Sequence, residues 1–358
     1  MSINRRKFSS LALSAAAASA FGGLVGVGSA VAAPSPMGPP ISSDASPTKF
    51  TSHDFAFFGL PTFWRLEHTR ELQGVDIAVM GVPFDNGVSH RSGTRFGPRA
   101  LRETSIYVGG YQHPWPYDAR ETLKMIDYGD VGMGISDQGT AYMIEDTYRH
   151  AKAIYTSGAR LFTLGGDHTI PYGMMRAAKE KFGKLAMIHF DSHQDSISGR
   201  SGTQISHASF AHDLAEEGTV DTRKSAQVFI RTDMPNDFGY NIICANDAMN
   251  RQAADVAKQI KSIVGTMPVY ITFDIDALDP AYAPGTGTPV AGGPTSAFVA
   301  EVLQRLVGLN VVGADLVEVA PIYDPTEATR LAAAAVARDL IYLMAHSIKP
   351  AALPTLRS

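Results

Sequence analysis

The chain has 358 residues, of which 45% are hydrophobic, and a formal net charge of −4 at pH 7. This length is enough for one large core or two modest ones, and the acidic balance excludes the basic surface that nucleic-acid binding requires. Cys244 is the only cysteine, which excludes an internal disulfide and a thiolate metal cluster. We interpret it as an ordinary packed residue rather than a catalytic thiol.

The first 33 residues have the pattern of an export signal. Arg5 and Arg6 begin a basic stretch, a weakly apolar run rich in Ala, Gly and Ser follows, and Ala30-Val31-Ala32 forms an A-x-A cleavage site. Paired arginines ahead of such a run are typical of a twin-arginine signal. We predict a signal peptide at residues 1–33 and export to the periplasm or the exterior, with an uncleaved membrane anchor as the alternative.

The rest of the chain is predicted to contain a leader and one domain. Residues 34–55 are rich in Pro and Ser and read as a flexible leader. Residues 56–358 show no internal repeat and no break in composition, so we predict a single domain there. No run beyond the signal has the length of a membrane span, and we expect no membrane contact after cleavage.

Strand and helix patterns alternate along this domain. Buried strands are predicted at 75–82, 123–128, 160–164, 184–190, 226–231, 269–273 and 311–317. A helix is predicted to begin at Gly97, and others are predicted at 140–155, 170–182, 253–264, 296–306 and 327–346. This alternation predicts an α/β fold of three layers, αβα, whose central sheet is mostly parallel. In such sheets ligands bind at the carboxyl ends of the strands.

Metal-binding side chains directly follow three of the predicted strands. One segment ends in Asp167-His168, the second spans 191–195 and the third spans 274–276. Alternate residues of an extended segment face the same side, so the side chains within each segment converge, and the gathered carboxylates would repel one another without cations. The six predicted ligands are His168, Asp191, His193, Asp195, Asp274 and Asp276. The alternative for any one of these acids is a surface carboxylate or a helix cap.

Four carboxylates and two imidazoles suit two divalent cations that share a bridging ligand. Oxygen and imidazole ligands without sulfur favour Mn²⁺, with Ni²⁺, Co²⁺, Fe²⁺ and Zn²⁺ as alternatives. Such a binuclear site produces hydroxide near neutral pH. The sequence therefore predicts a binuclear metal site at the carboxyl ends of the strands.

Longer strings around these segments resemble the ureohydrolases, the family of arginase and agmatinase. The resemblance extends from about residue 58 to 346 and implies the arginase-like version of the predicted fold. In motif it is closer to agmatinase than to arginase. The motifs are Gly81-Val-Pro-Phe-Asp85, Gly93-Thr-Arg-Phe-Gly-Pro-Arg99, Phe273-Asp-Ile-Asp-Ala-Leu-Asp-Pro280, Ala283-Pro-Gly-Thr-Gly-Thr-Pro289 and Gly313-Ala-Asp-Leu-Val-Glu318.

The resemblance implies a role for each candidate residue. One metal ion would be held by His168, Asp191, Asp195 and Asp274, and the other by Asp191, His193, Asp274 and Asp276. Asp191 and Asp274 would then bridge, and Asp195 would also orient the bridging hydroxide. Glu318 resembles the acid that binds the substrate guanidinium, which a carboxylate meets with two parallel hydrogen bonds. Thr288 resembles an active-site threonine, and His207 stands at the position of a proton-transfer histidine.

The same resemblance implies a hydrolase of linear amidines, in which a metal-bridging hydroxide attacks a guanidino compound and releases urea and an amine. Agmatine, hydrolysed to putrescine, is the expected substrate, and a homotrimer or homohexamer is the expected assembly. The alternatives are a guanidinobutyrase, a guanidinopropionase, a guanidine hydrolase or a formiminoglutamase. A non-enzyme alternative is a periplasmic protein that binds metal or guanidine.

Several positions bear on the substrate. Ile197 stands where arginases have an asparagine that meets the substrate α-carboxylate, and an isoleucine cannot replace that hydrogen bond, so arginine is disfavoured. Ala208 replaces a glycine and is expected to narrow the pocket or alter the substrate. Ser192 replaces an alanine and is expected to be silent. The loop at 231–237 is interpreted either as the reader of the substrate's tail or as a plain surface turn.

Overall fold

The computed structural model describes residues 59–109, 113–132, 139–197, 205–232, 236–350 and 353. All of them belong to one compact unit, Phe50–Ser358. The predicted signal peptide and leader lie outside the described residues. Their boundaries, and the export that they imply, therefore stay predictions.

Among the described residues, eight strands form one sheet in which every neighbouring pair is parallel. They are β1 (Ile77–Val82), β2 (Met125–Asp130), β3 (Arg160–Gly165), β4 (Ala186–Phe190), β5 (Ala226–Ile230), β6 (Asn241–Cys244), β7 (Pro268–Asp274) and β8 (Asn310–Val317). Their order across the sheet is β2-β1-β3-β8-β7-β4-β5-β6. Every predicted strand is present, with ends that differ by up to two residues.

The prediction missed β6, the short strand at one edge of the sheet. Only one of its four residues is buried, so it lacks the continuous apolar run that marks a strand covered on both faces. Cys244 ends this strand and is exposed. The interpretation of Cys244 as a packed residue was therefore wrong.

Helices cover both faces of the sheet, which confirms the three-layer αβα fold. They are α1 (Gly97–Val108), α2 (Ala119–Thr122), α3 (Gly139–Ser157), α4 (Pro171–Phe182), α5 (Phe210–Glu216), α6 (Ala245–Met249), α7 (Ala253–Val264), α8 (Ser296–Gln304) and α9 (Ala328–Ile348). Helices α1, α7, α8 and α9 share one apolar core with the sheet, and α3, α4 and α5 share the other. The prediction missed the short helices α2, α5 and α6.

Helix α9 has the length and composition of a membrane span, contrary to the expectation from sequence. The mean hydropathy of its most apolar 18-residue window is 1.3, and 72% of that window is buried inside the protein. Its residues pack into the core shared with α1, α7 and α8. The apolar composition of α9 is explained by this burial.

The order of the strands brings the candidate site together. The strands β3, β8, β7 and β4 are consecutive neighbours in the middle of the sheet. Each is followed at its carboxyl end by a predicted site segment: 166–168, Glu318, 274–276 and 191–195, respectively. Segments separated by up to 150 residues in the sequence therefore lie side by side at the carboxyl ends of the central strands.

Candidate metal centre

A first cluster of predicted ligands surrounds the imidazole of His168. Its Nδ1 lies 3.0 Å from Asp191 Oδ2 and 3.0 Å from Asp195 Oδ2. Asp274 Oδ2 lies 3.3 Å from the same nitrogen. All four residues are buried. These are the residues that the family resemblance assigns to one metal ion.

The hydrogen bonds of His168 identify the ring nitrogen that is available as a ligand. The Thr272 hydroxyl donates to Asp315 Oδ1 at 2.6 Å, and so accepts from His168 Nε2 at 2.8 Å. Nδ1 then carries the lone pair, and it makes no hydrogen bond in the described structure. A lone pair that faces three carboxylate oxygens is repulsive unless a cation lies among them. This donor set therefore fits a divalent metal ion.

Protonation is the alternative way to neutralise this cluster. Although burial opposes a charged imidazole, the carboxylates of Asp191, Asp195 and Asp274 raise the pKa of His168 well above its usual value. Burial, together with the charges of Asp276 and Asp191, likewise raises the pKa of Asp274 well above its usual value. The cluster has an excess of negative charge that either protons or metal ions must balance.

A second cluster adjoins the first and shares Asp191 with it. His193 Nδ1 lies 3.3 Å from Asp191 Oδ1 and 3.2 Å from Asp276 Oδ2. Asp191 thus directs one carboxylate oxygen to each cluster. Asp274 directs its Oδ2 to His168, and its Oδ1 accepts the Asp276 backbone N–H at 2.7 Å. The fold brings all six predicted ligands together, with the predicted bridging residue Asp191 between the clusters.

Ser192, expected from the sequence to be silent, makes hydrogen bonds in the second cluster. Its hydroxyl donates to Asp276 Oδ1 at 2.7 Å, and its backbone N–H donates to the same oxygen at 3.1 Å. Burial, together with the charge of Asp191, raises the pKa of Asp276. The hydroxyl of Ser192 lowers that pKa and fixes the rotation of the carboxylate, which the usual alanine could not do.

Glu318 directs one carboxylate oxygen to the protein and leaves the other without a partner. Oε1 accepts the His168 backbone N–H at 2.9 Å and lies 3.2 Å from His207 Nδ1. Oε2 is buried and makes no hydrogen bond in the described structure. An unpaired buried acceptor costs about 1–3 kcal/mol. Glu318 Oε2 is therefore an acceptor suited to a cationic donor brought by a ligand.

Space for such a donor exists because residue 287 is a glycine. A Cβ added to Gly287 would lie 3.2 Å from Glu318 Oε2 and 3.1 Å from the backbone oxygen of Arg91. Any side chain at residue 287 would crowd Glu318 Oε2, so the glycine leaves the approach to this oxygen open to a ligand N–H group. The sequence predicted that both oxygens of Glu318 would accept hydrogen bonds from the guanidinium. In the described structure only Oε2 lacks a protein partner, so Oε2 is the oxygen that is free for this contact.

Two of the predicted site residues have strained backbone conformations. Asp195 has φ 45° and Glu318 has φ 63°, whereas glycine is the residue that adopts such values cheaply. Each such conformation costs of the order of 1–3 kcal/mol and is retained where the surrounding structure imposes it, frequently at functional sites.

His207 and Thr288 also lie at the centre. His207 Nδ1 faces Glu318 Oε1, and its Nε2 lies 2.9 Å from the hydroxyl of Ser89. Although burial lowers the pKa of His207, the hydrogen bond and the charge of Glu318 raise it to about 9. The Thr288 hydroxyl donates to Asp276 Oδ2 at 3.3 Å. The fold thus brings every residue predicted for the site to the carboxyl ends of the central strands.

The positions expected to select the substrate behave differently from one another. Ala208 is absent from the described non-glycine residues with positive φ, so its methyl causes no backbone strain. Ile197 is 48% exposed.

Arg231, in the proposed tail-reading loop, donates to the backbone oxygens of Phe229, Asp276, Ala277, Leu278 and Val290. Arg231 thus holds the segment after β7 in place. Residues 233–235 lie outside the described chain, so both interpretations of the loop stay predictions.

Sequence reasoning missed the polar residues that support the ligands. His189 belongs to the first cluster, where its ligand atom lies within 4.8 Å of those of His168, Asp191 and Asp195. The alternation that identified Asp191, His193 and Asp195 extends one step back to His189 and could have identified it. Ser89, Thr272 and Gln227 carry no such local signal, because their partners belong to distant segments.

Comparisons with known proteins agree with this geometry. The sequence profile of the arginase family matches residues 75–342. The agmatinase of Cronobacter sakazakii is 40% identical over 296 residues, which are 82% of this chain and 94% of the relative. The agmatinase of Chromobacterium violaceum is 41% identical over 82% of this chain and 91% of the relative.

Solved structures show the same architecture. A crystal structure of a hypothetical agmatinase from Burkholderia thailandensis has a TM-score of 0.79 at 41% identity and covers 82% of this chain and 93% of its own. Proclavaminate amidino hydrolase from Streptomyces clavuligerus has a TM-score of 0.78 at 31% identity and covers 82% of this chain and 100% of its own. Arginase from Bacillus cereus, at 21% identity and a TM-score of 0.65, shares the fold.

Proposed function

Since the chain belongs to the arginase family, we propose that it hydrolyses a guanidino compound to urea and an amine, with agmatine as the substrate and putrescine as the product. The observation that carries this proposal is the unpaired Oε2 of Glu318, a buried carboxylate oxygen beside the two ligand clusters. A guanidinium supplies the charge and the N–H donors that this oxygen lacks.

Agmatine fits better than arginine for two reasons. The relatives that are about 40% identical are named agmatinases. Ile197 offers an aliphatic side chain where an α-carboxylate would need a hydrogen-bond donor, so arginine gains no polar contact there. Agmatine lacks that carboxylate. The proposed substrate is therefore a guanidinium on an uncharged or cationic tail.

Two divalent cations would occupy the clusters. His168, Asp191, Asp195 and Asp274 would hold one, and Asp191, His193, Asp274 and Asp276 would hold the other. Four carboxylates with two imidazoles and no sulfur favour Mn²⁺ over softer metals, with Ni²⁺, Co²⁺, Fe²⁺ and Zn²⁺ as the alternatives. When bound, the pair lowers the pKa of water so that hydroxide is available near neutral pH.

Side chains of the protein would bind the substrate, orient the nucleophile and transfer the proton. Glu318 binds the guanidinium and orients its carbon toward the metal clusters. Asp195 orients the attacking nucleophile. His207 is held between Glu318 and Ser89, and it donates a proton to the departing amine, which would otherwise leave as a strongly basic anion.

Urea release from a panel of guanidino compounds tests the proposal. We expect kcat/KM for agmatine to exceed that for arginine by about 10- to 100-fold, since a hydrogen bond to a charged group contributes about 1.5–3 kcal/mol and Ile197 cannot supply one to the α-carboxylate. The panel includes 4-guanidinobutanoate, 3-guanidinopropanoate, guanidine and formiminoglutamate. A higher kcat/KM for any of these would reassign the substrate within the family. Tight binding of the compounds without urea release would contradict an enzymatic function.

The pKa of His207 predicts how the activity depends on pH. Because its folded-state pKa is raised to about 9, the protonated imidazole persists through neutral pH and is lost as the pH rises. Bound cations nearby would lower this pKa, so about 9 is the upper end of the expected range. We expect kcat to fall about tenfold per pH unit above this pKa. Replacing Ser89 by alanine removes the hydroxyl beside Nε2 and should shift the decline to lower pH. An unchanged rate at high pH in the wild-type protein would contradict the role of His207.

A further inference from the structure

His189 is a buried imidazole beside the first ligand cluster. It lies in β4, and its Nε2 is 2.7 Å from Asp191 Oδ2, the oxygen that also faces His168. This distance allows two roles. His189 could offer a lone pair to a metal ion, or it could carry a proton on Nε2 and donate a hydrogen bond to the bridging carboxylate. A third interpretation is packing alone, since its ring contacts that of Phe210 at 5.5 Å between centroids.

The side chain of Gln227 distinguishes the first two roles. Its amide Nε2 lies 2.6 Å from the backbone oxygen of Gln194 and 3.0 Å from His189 Nδ1. A carbonyl oxygen only accepts hydrogen bonds, so the amide group that faces Gln194 must be the NH₂. The opposite orientation would bring two oxygens within 2.6 Å of each other. The orientation is retained even though Gln227 Oε1 is left buried and without a hydrogen bond in the described structure.

The tautomer of His189 follows from this orientation. The second amide proton of Gln227 points to His189 Nδ1, so Nδ1 accepts and carries no proton. In the neutral imidazole the proton then resides on Nε2 and points to Asp191 Oδ2. A nitrogen that carries a proton has no lone pair for a metal ion. The geometry thus excludes His189 as a ligand and makes it a donor.

We propose that His189, held in this tautomer by Gln227 and the Gln194 carbonyl, is a positioning residue that fixes Asp191 in its bridging orientation. The opposite oxygen, Asp191 Oδ1, accepts the His193 backbone N–H at 2.6 Å. One donor on each oxygen sets the rotation of the carboxylate, so that Oδ2 faces the first cluster and Oδ1 the second. Partners of this kind typically change metal affinity by about 10- to 100-fold. The inference rests on the binuclear centre proposed above, but not on the substrate.

Two substitutions at His189 test this inference against its rivals. His189→Leu keeps an apolar side chain in the core and removes the donor. His189→Gln keeps an amide N–H close to the position of Nε2. Mn²⁺ affinity and stoichiometry are measured by titration of metal-free protein, and the electron paramagnetic resonance spectrum reports whether the bound ions form a coupled pair. Thermal unfolding of the metal-free variants shows whether each one folds.

In the folded leucine variant we expect the second Mn²⁺ to bind about 10- to 100-fold more weakly, with a spectrum of isolated ions at one equivalent of metal. The glutamine variant should retain the coupled pair. A leucine variant with wild-type affinity would show that packing alone accounts for His189, and equal losses in both variants would indicate a metal ligand; either result overturns the proposal. Gln227→Leu removes the N–H donor that fixes the tautomer of His189. It should weaken binding of the second Mn²⁺ as His189→Leu does. Failure of the wild-type protein to bind a pair of ions would instead overturn the proposed function.

Discussion

Replacing Asp276 by asparagine is expected to abolish binding of the second metal ion and to lower urea release by more than about 100-fold, beyond the range seen for residues that only support ligands. Asparagine has the same shape and can still accept the hydrogen bonds of Ser192. It lacks the charge that a divalent cation requires beside His193 Nδ1. Metal content after dialysis and urea release are measured on the same preparation. The His193→Asn variant should likewise lose the second metal ion and most of its urea release.

The matched control is Asp247→Asn. Asp247 is an exposed acid that pairs with Arg251 at 3.0 Å on the surface, and such pairs contribute little. This variant should keep both metal ions and full activity. If Asp276→Asn turned over at the wild-type rate after losing its metal, the metal-dependent mechanism would be wrong.

Glu318→Gln is expected to lower kcat/KM for agmatine by about 10²- to 10³-fold while both metal ions stay bound. The variant preserves an acceptor for the backbone N–H of His168 at 2.9 Å. It removes the negative charge that the guanidinium would meet at Oε2. The separation of metal content from turnover distinguishes a substrate-binding carboxylate from a metal ligand, and loss of metal in this variant would assign Glu318 to the wrong role.

Gly287→Ala provides an independent steric test of the same contact. Its methyl would lie 3.2 Å from Glu318 Oε2, where the guanidinium is proposed to bind. We expect KM for agmatine to rise while the metal content is unchanged. An unchanged KM would show that the substrate approaches Glu318 from another side.

The fold was predictable because its elements have strong local signals. Strands buried on both faces read as continuous apolar runs, and this pattern identified every strand except β6, which is mostly exposed at the edge of the sheet. The six metal-ligand candidates were found for a similar reason, since alternate residues after a strand share a face. The short helices α2, α5 and α6 have too few residues for a clear period.

Contacts across the sheet could not be predicted. The order of the strands is a property of the whole fold. It places β7 near β3, which pairs Thr272 with His168, and β5 beside β4, which pairs Gln227 with His189. Even the hydrogen bond of Ser192, which is adjacent to a predicted ligand, was not foreseen, because its partner Asp276 lies 84 residues further along the chain. The supporting hydrogen bonds of the site are therefore its least predictable part.

The placement of β8 between β3 and β7 also determines when the centre can form. During synthesis, β3 and β4 and their ligands emerge first, but the two strands that separate them in the sheet are made later, and β8 ends only at Val317. Contacts between such distant segments form slowly, because a long loop must close before any of them contributes. A growing chain thus contains His168 and the segment 191–195 long before Asp274, Asp276 and Glu318 complete the site. Tight metal binding is consequently a signal that the sheet has been completed.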